Sequence, residues 1–212
     1  MRIGIIDYGV GNLGSMLRVL DRFDISSTLI SRPVDIRSVD KLILPGVGNF
    51  SDCMRLLVVD NWVGALNDEV LGNKRPLLGV CVGMQLLADS SQEGAEDGCS
   101  IPGLGYIPGS VKHLRTLGSG LRVPHVGWNN IAHVNNVDAL FSGIPDGTDF
   151  YFVHSYAFVP QNSSNIIAIT DYGVPFPASV RHGHIWGTQF HPEKSSRAGI
   201  RLLQNFIEVE SC

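Results

Sequence analysis

The stretch LLGVCVGMQLL, residues 77–87, sets a cysteine between two glycines, after one apolar run and before another. Leu77-Leu78-Gly79-Val80 has no polar alternation, as expected of a strand covered on both faces, and the residues from Gly83 onward have helical spacing. A strand that passes through G-x-C-x-G into a helix places Cys81 on a sharp turn, with its thiol lifted above the sheet edge. Unpaired N–H groups at the start of that helix favour a thiolate, and the N–H of Val82 points where an oxyanion would form. Free cysteine is also among the residue types most often buried as simple packing. The turn alone leaves Cys81 open between nucleophile and filler.

Outward from this turn, the first half alternates short apolar runs with helix-period segments: RIGIID, LGSMLRVLDRF, SSTLIS, KLILPG, MRLLVVDNWVGALNDEVLG and RPLLGV. Strands separated by helices imply parallel βαβ units with right-handed crossovers, and KLIL and LLGV should be central. From about Ile101 the texture becomes β-rich, with YIPGSVKHLRT, LRVPHVGWNNIAHV, DFYFVHSYAFV, NIIAITDYG, PASVRHG and HIWGTQFHPE separated by Gly, Asn, Asp and Pro turns. SSRAGIRLLQNFIEV reads as a last helix, with Ser195 or Ser196 as its N-cap. The polar stretch SSQEGAEDGCSIPGLG reads as an excursion inside one domain. The expected fold is α/β, a mostly parallel central sheet flanked by helices with a β-rich second half, and residues 1–212 are expected to form a single domain.

A chain of 212 residues with 44% hydrophobic content can build one sizeable core. Its net charge of −4, with no block of like charges, offers no footprint for nucleic acid or an anionic membrane. Partners should be small molecules or proteins. MRIGIIDYGVGNLGS lacks the long apolar region of a secretory signal, and no apolar stretch reaches the roughly 18 residues that cross a bilayer. Cys53, Cys81, Cys99 and Cys212 are widely spread, with neither a C-x-x-C pair nor metal-ligand spacing, so reduced thiols in the cytoplasm are expected.

A second glycine motif competes for attention. Gly9, Gly11 and Gly14 follow the first predicted strand as G-x-G-x-x-G, the setting of a dinucleotide fingerprint. That fingerprint also needs an acidic residue about 20 positions on, at the end of the second strand. Here the strand end reads Ser31-Arg32-Pro33, with Asp35 past the proline. Arg32 could suit a 2′-phosphate, which keeps a nicotinamide-dependent oxidoreductase as an alternative. A tight strand-to-helix turn is the preferred reading.

WGTQFHPEKS supplies a base for Cys81. If IWGTQF continues as a strand, His191 and Glu193 leave the same face and the carboxylate can hold the imidazole. Pro192 marks a strand end, where functional side chains of α/β sheets collect. A cysteine–histidine pair oriented by a third polar group generates and protects a thiolate. His113, His125, His133, His182 and His184 have no carboxylate at matching spacing and read as solvated or core histidines. His154, after aromatic residues at a strand end, could line a site or simply be structural. LILPGVGNF, residues 42–50, would end a strand at Leu44, and the loop Pro45-Gly46-Val47-Gly48 would bring exposed backbone N–H groups to the same edge, as an oxyanion loop or a plain turn.

Together LPGVG, GVCVGMQLL and TQFHPEKS resemble the class I (triad) glutamine amidotransferases. VPHVGWN and DFYFVHSYAFVP further resemble the branch that forms the glutaminase subunit of imidazole glycerol phosphate synthase, the HisH family, along essentially the whole chain. The resemblance implies Cys81 as nucleophile, His191 as general base and acid, and Glu193 as its orienter. It implies an oxyanion site from the backbone of Val47 or Gly48 and of Val82, and L-glutamine held by Gln85, Ser155 and Tyr156. It calls for no cofactor. Ammonia would pass to a (β/α)₈-barrel cyclase subunit in a heterodimer of histidine biosynthesis, met by YGVGN, PHVGWN and Lys194. Val82 stands where the family commonly has leucine. GVGNLGS and TDYGVPFPASV also resemble a paralogous branch that supplies ammonia for sugar amination or amidination in surface polysaccharides. A non-catalytic binding module is the further alternative.

Overall fold

The computed structural model describes residues 1–95, 99–134 and 137–209. Cys212 therefore lies outside the described residues. In chain order the strands are β1 (Arg2–Ile6), β2 (Ser26–Ile30), β3 (Lys41–Gly46), β4 (Leu77–Cys81), β5 (Ser90–Ser91), β6 (Ile101–Pro102), β7 (Gly109–His113), β8 (His125–Asn130), β9 (Ala132–His133), β10 (Asp149–His154), β11 (Tyr156–Pro160), β12 (Ile166–Asp171), β13 (Pro175–His182) and β14 (Ile185–Thr188). The helices are α1 (Leu13–Leu20), α2 (Phe50–Val59), α3 (Trp62–Leu66), α4 (Val82–Gln85) and α5 (Ser196–Glu208).

Eight strands form the main sheet in the order β2-β1-β3-β4-β14-β13-β12-β9. The pairings from β2 to β14 are parallel, and those from β14 to β9 are antiparallel. The expected α/β architecture is present, with β3 and β4 central and buried along their whole length. Two smaller sheets, β10-β8 and β11-β7-β5-β6, cover the β-rich half. The segment DFYFVHSYAFV is not one strand: it bends at Ser155, with β10 pairing to β8 and β11 to β7. One buried cluster takes in Ile5, Leu44 and Leu78 from the first half and Phe150, Phe152 and Phe190 from the second.

Three local details differ from the sequence reading. The helical segment after Phe50 breaks at Asn61, whose φ of 63° ends α2 before α3 begins. α4 is only four residues long, so little macrodipole stands behind Cys81. β3 runs on to Gly46 and does not end at Leu44.

Because β3, β4 and β14 are parallel and in register, Gly46 pairs with Cys81 and Val80 with Thr188. Their C-terminal ends share one rim. The loops after Gly46, Cys81 and Thr188 therefore converge there, where parallel sheets place their functional groups.

Candidate active site

Cys81 sits at the last position of β4 with φ 56° and ψ −113°, a conformation that costs of order 1–3 kcal/mol in a non-glycine residue. The neighbours make it attainable. A Cβ on Gly79 would lie 2.5 Å from the Gly83 carbonyl oxygen, and one on Gly46 would lie 2.6 Å from the Gly83 nitrogen. Only glycine lets these three backbones nest. Cys81 is 3% exposed, and its sulfur lies 3.8 Å from Gln189 Nε2 and 3.9 Å from the Val153 carbonyl oxygen.

His191 comes to the same place, but not as part of a strand. β14 stops at Thr188, and Pro192–Lys194 forms a 3₁₀ turn. That turn, not strand alternation, brings the Glu193 carboxylate back to the imidazole, with His191 Nδ1 donating to Glu193 Oε1 at 2.9 Å. Both side chains are 2% exposed. Ser195 occupies the N-cap position of α5 without capping it; its hydroxyl donates to the His191 carbonyl (2.6 Å) and accepts from the Tyr151 N–H (3.0 Å), which pins the turn. Burial disfavours a charged His191, yet the neighbouring Cys81 and Glu193 outweigh it and raise its pKa to about 9. Among the described residues, His191 Nε2 is buried and has no hydrogen-bond partner, so it is available to a reacting group.

Asn12, which sequence reasoning missed as a site residue, donates from Nδ2 to Glu193 Oε1 at 3.2 Å. The glycine motif explains its position: Gly9 and Gly11 take φ of 96° and 136°, turn β1 into α1, and set Asn12 at the helix start. Gly9 and Gly11 thus form a turn facing the His191–Glu193 pair, while Gly14 lies inside α1. Arg32, the residue that kept the nicotinamide alternative open, is paired with Asp35 at 2.8 Å.

A cavity of about 400 Å³ opens onto Cys81 and His191. Val47, Gly48, Val82, Gln85, Ser155 and Tyr156 all line it, so every site residue singled out in the sequence reaches it except Glu193, which stands behind His191. Gln85 Nε2 donates to the Tyr156 carbonyl and to Gln189 Oε1, both at 2.9 Å, which leaves Gln85 Oε1 buried without a partner among the described residues. The Val47 carbonyl accepts from the Cys53 thiol at 3.6 Å. In a trans peptide the N–H of Gly48 then points the opposite way.

Two more lining residues matter. Glu93 accepts the Phe50 N–H at 2.9 Å, and burial raises its pKa. It lies in a polar, Gly-rich loop with no local signal to mark it. His154 is buried in the wall and hydrogen bonds with His125, which is a satisfied core histidine, one of the two readings its sequence context allowed. Their partnership crosses β8 and β10 and has no counterpart in local spacing.

The fold and this site define a class of protein. The chain matches the family "Glutamine amidotransferase class-I" over residues 4–209, and it belongs to that family. It is 45% identical over 207 residues to "Imidazole glycerol phosphate synthase subunit HisH" of Moorella thermoacetica, covering 98% of this chain and 94% of that one. It is 46% identical to "Imidazole glycerol phosphate synthase subunit HisH 1" of Prochlorococcus marinus, covering 98% and 97% of the two chains. Among solved structures, a glutamine amidotransferase from Thermotoga maritima shares the fold with a TM-score of 0.62 at 18% identity, covering 98% of this chain and 83% of that one.

Proposed function

We propose that the chain is the glutaminase subunit of an imidazole glycerol phosphate synthase, with residues 1–212 acting as one domain. The observation that carries the chemistry is the meeting at one rim of strained Cys81 with His191 held by Glu193. The Cys81 thiolate attacks the side-chain amide carbon of glutamine. The resulting oxyanion is received by the N–H groups of Gly48 and Val82, with Val47 shaping the loop. Collapse breaks the C–N bond, and ammonia leaves with the proton from His191. Neutral His191 then takes a proton from water as it attacks the γ-glutamyl thioester; glutamate departs, its carboxyl group losing a proton, and the thiolate–imidazolium pair is restored.

The cavity wall suits an amino acid. Gln85 Oε1 and the Glu93 carboxylate are acceptors for an α-ammonium group, while Ser155 and Tyr156 border the remainder of the substrate. Val126, Trp128 and Val153 are exposed on the paired strands β8 and β10, and Val153 also lines the cavity. Lys194 lies 5.8 Å from the Tyr151 ring beside them. This apolar patch with one cation at the cavity rim fits a (β/α)₈-barrel cyclase subunit that takes up ammonia, in a cytoplasmic heterodimer. No helix among the described residues is long and apolar enough to cross a membrane.

Glutamine turnover by the chain together with a cyclase subunit and its ribonucleotide substrate tests the reading. Glutamate release coupled to product is expected, and it should vanish in Cys81→Ala. Turnover retained by Cys81→Ala refutes the mechanism. Turnover without coupling to this acceptor favours the sugar-amination branch.

A further inference from the structure

We propose that His125 and His154 are positioning residues of the glutamine pocket, joined in one hydrogen-bond chain that donates in a fixed direction from Asn129 on β8 to the Tyr156 carbonyl, where it meets the donor amide of Gln85, itself tied through Gln189 to Cys81. The inference rests on the glutaminase reading for what the pocket binds, but the chain's direction follows from the geometry alone.

Both ends set that direction independently. Asn129 Nδ2 lies 2.8 Å from the Asp171 carbonyl oxygen, and its Oδ1 accepts the Asn130 N–H at 2.9 Å, so the amide group is oriented without ambiguity. The same NH₂ lies 3.3 Å from His125 Nε2, which must therefore present a lone pair. His125 then carries its proton on Nδ1 and donates it to His154 Nε2, 3.0 Å away. At the inner end His154 Nδ1 lies 2.8 Å from the Tyr156 carbonyl oxygen, which can only accept. Both rings are neutral and both hold their hydrogen on Nδ1. A further proton on either ring would turn one acceptor into a donor facing another donor.

The surroundings support this state. His125 stacks on Tyr172 at 4.1 Å and on Phe152 at 4.9 Å, and His154 meets Phe176 edge-on at 5.1 Å. Burial lowers the pKa of His125 to about 4 and that of His154 to about 3. Of the two histidines lining the cavity, His191 is thereby left as the cationic one.

The chain acts on Gln85. The Tyr156 carbonyl receives the His154 N–H and one Gln85 amide hydrogen, while the other Gln85 hydrogen goes to Gln189 Oε1. Gln189 in turn directs Nε2 at the Cys81 sulfur. With both of its hydrogens committed, Gln85 must offer oxygen to the pocket. Without the His154 donor the Tyr156 carbonyl, held in place by β11, keeps only the Gln85 hydrogen, and the buried wall behind Gln85 loses the group that fixes which way its amide faces the substrate's ammonium.

The test uses the full-length chain, with ¹⁵N-histidine NMR and the kinetics of Cys81 alkylation by 6-diazo-5-oxo-L-norleucine. NMR of the unmutated chain at pH 7 is expected to show His125 and His154 neutral with the hydrogen on Nδ1. A hydrogen on Nε2 of either ring, or a charged ring, overturns the proposal. His154→Leu is expected to raise the half-saturating inhibitor concentration about ten-fold, with the maximal rate changed by less than about two-fold, and His154→Asn, whose amide can replace the Nδ1 donor, should recover most of the loss. Wild-type half-saturation in His154→Leu overturns the proposal, as does an Asn variant no better than Leu. If the Leu variant does not fold, the NMR result and the Asn variant decide. An unmutated chain inert to the inhibitor would overturn the glutaminase reading alone, since the tautomers are read separately.

Discussion

A Cβ on Gly83 would lie 1.9 Å from the carbonyl oxygen of Leu44, so the backbone after Cys81 is pressed directly onto β3. No side-chain adjustment can relieve such a contact, because both parties are backbone. Gly83→Ala is expected to unfold the rim, lowering the melting temperature by roughly 10 °C or more or leaving the protein insoluble. Gly48→Ala makes the informative contrast: its φ is 94° but the space around it is open. It should stay folded, lose about 1–2 kcal/mol, and lose glutaminase activity because the loop's N–H is displaced. Thermal melts with turnover assays separate the two.

Glu193 acts through His191, and its removal should show it. Glu193→Gln keeps the shape but deletes the charge that helps hold the His191 pKa at about 9. Alkylation of Cys81 at pH 7 should slow by about 10–100-fold, and the His191 titration should move down. Asn12→Ala, which removes one donor to the same carboxylate, should slow it by only a few-fold.

The strain at Cys81 predicts a trade between stability and function. Cys81→Gly and Cys81→Ala both abolish the nucleophile, but only glycine accepts φ 56° at ψ −113° without cost. Cys81→Gly should therefore be more stable than Cys81→Ala by about 1 kcal/mol in denaturant melts, despite its smaller side chain. The reverse order would show that the elbow stores no strain.

Buried histidines give stability a two-sided dependence on pH. His125 and His154 have folded pKa values of about 4 and about 3, below the ordinary 6.5, so their contribution is complete above 6.5 and is lost as pH falls from there. His191 has the opposite sign: raised to about 9, its contribution is complete below 6.5 and is lost as pH rises through 9. Each group taking up or releasing a proton changes the slope by up to about 1.4 kcal/mol per pH unit. Urea melts from pH 4.5 to 9 should peak near neutrality, with His154→Asn flattening the acid limb and His191→Asn the alkaline one.

Trp128 is 53% exposed and stacks edge-on against Tyr151, 6.1 Å away, outside the cavity. Trp128→Asp should weaken association with the proposed cyclase subunit by at least about ten-fold, measured by sedimentation or calorimetry. Alkylation of Cys81 in the free chain should be unchanged.

Local sequence determined much of this molecule by itself. KLIL and LLGV, which lack polar alternation, read as strands covered on both faces, and the glycines around Cys81 signal a tight turn. Adjacency alone put His191 within reach of Glu193, even though a 3₁₀ turn and not a strand makes the contact. Tertiary structure alone decided that β14, near the end of the chain, lies parallel beside β4, and so brings residues 81 and 191 to one rim. It also decided that Asn12 reaches Glu193 and that Glu93 faces the cavity. The join of His125 to His154 across two strands was settled there too. Periodicity and turn chemistry act over a few residues, whereas these contacts depend on strand order and on burial of polar groups that must find distant partners once water is excluded.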